Sequence, residues 1–131
     1  MVALRDFARK MVEEAFHPLE PTTAQFHMPV EQYVAVLAKL KPAFIHHPAC
    51  KEMLRAILTE FGCDLSDVYF DVPRLRTSTA AKYLTAGLAY AFHPHRDTWY
   101  SAPHSQLNWW FPIYEIEPSN GMAFHPRYFG R

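Results

Sequence analysis

Residues 89–126, AYAFHPHRDTWYSAPHSQLNWWFPIYEIEPSNGMAFHP, decide how this chain is read. Four of its eight histidines fall here (His93, His95, His104, His125), with all three tryptophans, Trp99, Trp109 and Trp110. At the centre stands His95-Arg96-Asp97. In an extended strand, side chains two apart share a face at a spacing of roughly 6–7 Å. His95 and Asp97 are therefore expected to converge, with Arg96 turned the other way. Pro94 cannot donate to a sheet ladder, which puts the triplet at an edge, a bulge or a strand end, where side chains are often re-aimed.

Downstream, Ser105–Tyr114 is an aromatic-rich strand candidate. Glu117-Pro118-Ser119-Asn120-Gly121 signals a turn, and Met122–His125 is the returning strand of a hairpin. Upstream, Leu84–Phe92 is apolar and leads into His93. Val68–Val72 is a short strand-type run closed by Pro73, and Arg74, Arg76 and Ser78 alternate with Leu75 and Thr77 as extended chain does.

The first half has a different period. Leu4, Phe7, Met11 and Phe16 lie near one side of a helix over 3–16, which His17-Pro18 and Pro21 end. Tyr33, Val34, Leu37 and Leu40 stripe a helix over 29–41, opened by Pro29 and stopped by Pro42. Cys50, Leu54, Ile57, Leu58 and Phe61 stripe another over 48–61, with Gly62 as its stop. His46 and His47, adjacent and facing different ways, are surface or capping residues. The order predicts an α+β chain, with a helical segment over 1–64 and a strand-rich one over 65–131.

Half the 131 residues are hydrophobic and the formal net charge is zero, enough for a core but giving no electrostatic case for nucleic acid or an anionic membrane. Cys50 and Cys63 have no metal-type spacing and read as reduced thiols. No apolar run approaches the ~20 residues of a membrane span. The acids within MVALRDFARKMVEEAF exclude a signal peptide, so the expected location is the cytoplasm.

An imidazole and a carboxylate on one face are two of the three ligands of a 2-His-1-carboxylate Fe(II) site. Two other motifs compete. A kinase catalytic loop would need Asn at position 102, where this chain has Ala102, and there is no glycine-rich loop. His93-x-His95-x-Asp97 is similar to the run of a two-zinc hydrolase, but its closing His would fall on Thr98. A zinc hydrolase using His93, His95 and Asp97 stays open as an alternative.

Gln106-Leu107-Asn108-Trp109-Trp110-Phe111-Pro112-Ile113-Tyr114, followed by Asn120-Gly121-Met122-Ala123-Phe124 and Pro126, resembles the phytanoyl-CoA-dioxygenase-like branch of Fe(II)/2-oxoglutarate oxygenases. The resemblance covers about residues 68–129 and rests on the order and spacing of several motifs. It implies a double-stranded β-helix, a jelly roll, and a dioxygenase that hydroxylates a small organic substrate. His95 and Asp97 match the first two iron ligands. Asn108, with Gln106 on its face, matches a polar contact to 2-oxoglutarate. The family's P-G-S-H signature is met only at Pro126. Its distal His and its carboxylate-binding Arg would lie beyond Arg131, so the resemblance implies an N-terminal portion with a partial jelly roll. His125 is the substitute third ligand, and His104 a weaker one. His93, spread about 13 Å from Asp97 along a straight strand, falls to the substrate side with Trp99 and Tyr100. An incomplete sheet would expose an open edge through which the chain pairs as a homodimer, and a non-catalytic, self-associating module is the reading outside enzyme chemistry.

Overall fold

The computed structural model describes residues 1–84, 95–100 and 102–128, with the side chains of Thr98 and Tyr100 set aside. Three α-helices form its body: α1 (Val2–Phe16), α2 (Val30–Ile45) and α3 (Pro48–Glu60). α1 packs against both of the others. Among the described residues no helix is long and apolar enough to cross a membrane.

Two apolar clusters hold the helices together. In the first, Phe16 of α1 and Tyr33, Leu37 and Leu40 of α2 enclose Ala24 and Leu84. In the second, Leu4 and Ala8 of α1 meet Phe44 at the end of α2 and Cys50 and Ile57 of α3. Met11 and Leu75 touch both clusters, which joins them into one core. The Cys50 thiol donates to the Phe44 carbonyl at 3.1 Å, and both cysteines are free.

The helix ends follow local chemistry. His47 caps α3 by accepting the Ala49 N–H on Nδ1 at 3.2 Å, with Pro48 in the first turn. At the other end, Gly62 N–H donates to the Thr59 carbonyl and Cys63 N–H to the Leu58 carbonyl, the paired bonds of a Schellman motif. Gly62 closes it at φ +78°, and a Cβ there would meet nothing within 4 Å. The cost of a side chain is therefore backbone strain alone. Gly62→Ala is expected to lower stability by about 1 kcal/mol in denaturant titration, with no change in spectroscopic helix content.

One helix boundary departs from expectation. Pro42 does not stop α2, which runs on to Ile45 with the proline inside it. The turn beyond it buries Phe44, and His46 N–H closes back on the Pro42 carbonyl at 3.0 Å. An internal proline costs about 3 kcal/mol, and burying a phenylalanine recovers about 1.5–3 kcal/mol of it.

The larger correction is to the fold class. Among the described residues there is no β-strand, so the partial jelly roll over 65–131 is not formed and the chain is helical with long irregular segments. The sequence periodicity was real, but its cause was different. From 73 to 80, odd positions are half-buried and even ones exposed, the alternation of extended chain lying on a surface. That surface is helical: Leu75 packs against both clusters, and among the described residues no strand pairs with the segment. Ala80 N–H instead donates to Gln25 Oε1 at 3.0 Å, and the Tyr83 hydroxyl to the Met28 carbonyl at 2.7 Å. Val68–Val72 likewise pairs with no strand among the described residues, and Tyr69 is fully exposed. Phe111 and Ile113 rest on the second cluster, Trp109 meets Phe61 at a tilt with ring centroids 4.8 Å apart, and Pro112 within that run removes a ladder donor. The predicted hairpin after Asn120-Gly121 is also absent, and 117–120 form only a turn closed by Asn120 N–H to the Glu117 carbonyl. An open sheet edge, the proposed basis of dimerisation, goes with the sheet. The predicted strand Leu84–Phe92 lies, from residue 85 on, outside the described residues.

Candidate metal-ligand pair and its polar support

His95 and Asp97 do converge, from a turn and not from a strand. His95 stands two residues before the first residue of a 3₁₀ turn, Asp97–Tyr100, whose entry is fixed by Trp99 N–H donating to the Arg96 carbonyl at 2.9 Å. His95 Nε2 lies 3.4 Å from Asp97 Oδ1. Two donors each about 2.1 Å from a shared ion lie at most about 4.2 Å apart, so the pair fits two positions of one metal. Arg96 points elsewhere, as the alternation suggested. Its guanidinium donates to the Tyr128 carbonyl and lies 5.9 Å from the centre of the Trp99 ring.

The second oxygen of Asp97 is also engaged. Asn108 Nδ2 donates to Asp97 Oδ2, and Gln106 Nε2 donates to Asn108 Oδ1 at 2.6 Å. Each carboxylate oxygen thus has one neighbour, His95 on Oδ1 and Asn108 on Oδ2. Gln106 and Asn108, which the resemblance assigned to 2-oxoglutarate, are brought to the predicted site, where their polar groups serve the Asp97 carboxylate. Their i,i+2 spacing put them on one face. Nothing in the spacing of residues 97 and 108 pointed to the bond between Asp97 and Asn108.

Among the described residues no group of three or more His, Cys, Asp or Glu side chains is gathered around one point. His125 therefore does not complete a triad there with His95 and Asp97. Its ring meets Tyr128 edge-on at 6.4 Å, beside a shallow depression of about 380 Å³ lined by residues 124–128. His104 is exposed on a turn closed by Gln106 N–H to the Pro103 carbonyl. Trp99 is exposed beside the pair, and the Tyr100 backbone completes the 3₁₀ turn. His93 lies outside the described residues. The donor set is thus two of the three ligands of a 2-His-1-carboxylate site, and no reaction step follows from it alone. For 2-oxoglutarate the adjacent cation is Arg96, which is already engaged with Tyr128.

Compared with known proteins, the chain matches no family model, no curated protein and no solved structure.

Proposed function

We propose that this chain supplies His95 and Asp97 to the metal centre of a ferrous, 2-oxoglutarate-dependent oxygenase that hydroxylates a small organic substrate. The third ligand comes from outside the described residues. The observation that supports this reading is the approach of one imidazole nitrogen to one carboxylate oxygen at 3.4 Å, with the other oxygen held by an amide. Bound ferrous iron would supply the oxygen-activating chemistry. The chain's own side chains would hold the ion through His95 Nε2 and Asp97 Oδ1 and keep the carboxylate aimed at it. The proposal rests on this pair and on the order of motifs around it, and it requires no barrel. Two free thiols and a need for reduced iron suit a reducing compartment, so the proposal sets the chain in the cytoplasm.

Calorimetric and absorption titration with Co(II), an air-stable stand-in for Fe(II), tests the pair. One weak site is expected, lost to detection in His95→Ala and in Asp97→Ala, because each variant removes one of only two described ligands. Succinate release from 2-oxoglutarate with Fe(II) and ascorbate, abolished by the same variants, would extend the result from metal to reaction. Co(II) binding unchanged in both variants would sink the proposal. Zinc-dependent ester hydrolysis lost in His93→Ala would replace it with the hydrolase.

A further inference from the structure

We propose that residues 73–84 form a strap held on the helices by a strained turn, and that the strap opens as a unit while the helices stay folded, baring an apolar face of α2. His95 and Asp97 take no part in it. The path of the strap follows from its contacts. Leu75 rests on both clusters. Burial, and then the nearby Arg76, hold the Lys41 ammonium below its ordinary pKa, which places Arg76 late along α2. Tyr83 sets its ring edge-on to Tyr33, near the start of α2, at 5.3 Å, and Leu84 is buried in one cluster with Leu37 and Leu40. The segment therefore runs back along α2 from its C-terminal part towards its start.

The turn spans 80–83 and is closed by Tyr83 N–H donating to the Ala80 carbonyl at 3.0 Å. Its central residues, Ala81 and Lys82, have φ of 53° and 56°, the two non-glycine residues at positive φ among those described. Turns with both central residues at positive φ ordinarily carry Asn-Gly, Asp-Gly or Gly-Gly, because a Cβ there crowds the backbone. Neither Ala nor Lys has the short polar side chain that offsets this by a local hydrogen bond. Such a conformation persists only where its surroundings over-determine it. Here the ties stand on both sides of the turn. Before it, Ala80 N–H donates to Gln25 Oε1 at 3.0 Å. After it, the Tyr83 hydroxyl donates to the Met28 carbonyl at 2.7 Å, and Leu84 enters the first cluster.

Segments with few buried contacts and few backbone hydrogen bonds open at lower free energy than packed helices. The strap is such a segment: from 73 to 79 its inward side chains are only half-buried, and among the described residues no strand pairs with it. Release of Tyr83 and Leu84 lets Ala81 and Lys82 relax, and the relaxed turn no longer presents Ala80 to Gln25. The strained turn therefore couples the two ties, so they are made and broken together. Opening uncovers Tyr33, Leu37 and Leu40, which share a cluster with Leu84. The helices keep contacts of their own. Phe16 of α1 stays against Tyr33 of α2, with ring centroids 5.2 Å apart, and the second cluster uses no residue of 80–84.

Thiol labelling of the full chain tests this. With Cys63→Ser removing the half-buried thiol, Leu84→Cys reports opening of the strap, and Cys50, buried in the second cluster, reports opening of the helices. Each rate is divided by that thiol's rate in denaturant. The Leu84→Cys thiol is expected to react more than about tenfold faster than Cys50. Ala81→Gly and Lys82→Gly relieve the strain and should each slow that reaction about fivefold. Ala80→Gly, one residue outside the left-handed pair, should not slow it. Equal rates at the two thiols would overturn the proposal, because the strap would then open only with the whole body. An unchanged rate in Ala81→Gly and Lys82→Gly would overturn it too, because the turn would then hold no strain. Should Leu84→Cys itself loosen the strap, hydrogen exchange with Leu84 retained decides the matter. The Ala80 and Tyr83 amides should exchange faster than those of α2, and Ala81→Gly should slow both about fivefold; no slowing would again overturn the proposal.

Discussion

Truncating Leu37 to alanine is expected to lower stability by about 3 kcal/mol, within the range of about 2–5 kcal/mol for emptying a leucine site in a packed core. Leu37 is 2 % exposed and sits mid-helix in α2, among Phe16 of α1, Ala24, and Leu84 beyond the helices. The neighbours that would have to move into the space belong to three separate chain segments, so the site collapses poorly and the cavity term is retained. Small domains have only about 5–15 kcal/mol in all, so the loss should appear as a large fall in the denaturation midpoint. Gln32→Ala, on the exposed side of the same helix, controls for helix propensity and should change stability by less than about 0.5 kcal/mol. Equal effects from the two substitutions would mean that α2 is not packed on α1 through this face.

The helices were legible because their signal is local. Tyr33, Leu37, Leu40 and Phe44 recur at the spacing of one helical face, and all four are buried. Gly62 ends α3 through a backbone conformation that glycine adopts at no steric cost. Pro42 was misleading because its local penalty is largely offset by a tertiary gain, the burial of Phe44, which local propensity around residue 42 does not report. The same limit explains the missing sheet. Period-two alternation such as Leu75 and Thr77 against Arg74 and Arg76 reports that an extended segment has one covered face. It does not report what covers it, and here Leu75 is covered by helix side chains. A strand needs a second strand at the right register, and the prolines at 73, 94, 103, 112, 118 and 126 each remove a ladder donor from the candidate segments.

The site divides in the same way. His95 and Asp97 could be paired from sequence because i,i+2 side chains come together in more than one backbone conformation, and the pair survives the change from strand to turn. The support given by Asn108 depends on how the segment after residue 102 returns across the 3₁₀ turn, a tertiary outcome that spacing does not encode. The resemblance did single out Asn108 and Gln106 as polar residues of the site. In the structure Asn108 donates to the Asp97 carboxylate and Gln106 donates to Asn108.

Replacing Tyr114 with phenylalanine should stabilise the protein at neutral pH and flatten its alkaline unfolding limb. The Tyr114 hydroxyl is buried and, among the described residues, finds no hydrogen-bond partner. An unpaired buried hydroxyl costs about 1–3 kcal/mol, so its removal should gain about 1 kcal/mol, the ring packing and the Arg9 guanidinium 5.3 Å from its centre being kept. The pH dependence follows from the same burial. The phenol is pushed up to about 12, first by burial and then by the carboxylates Glu13 and Glu20, with Arg9 opposing them. In the unfolded chain a tyrosine ionises near an ordinary value of about 10. Below that value both states keep the proton and the group adds no slope. Between about 10 and about 12 the unfolded chain has released the proton and the folded one has not, so stability falls as pH rises. A shift of this size would give at most about 2.7 kcal/mol. Tyr114 is only half-buried as a residue, and screening by solvent reduces the figure to about 1 kcal/mol. Burial also raises Tyr33 and Tyr83, so part of the limb should survive in Tyr114→Phe. Urea titrations at pH 7, 10 and 11 of wild type and variant measure the difference directly. It should favour the variant at neutral pH and widen with alkalinity; a variant less stable than wild type at pH 7 would show that the Tyr114 hydroxyl has a partner after all.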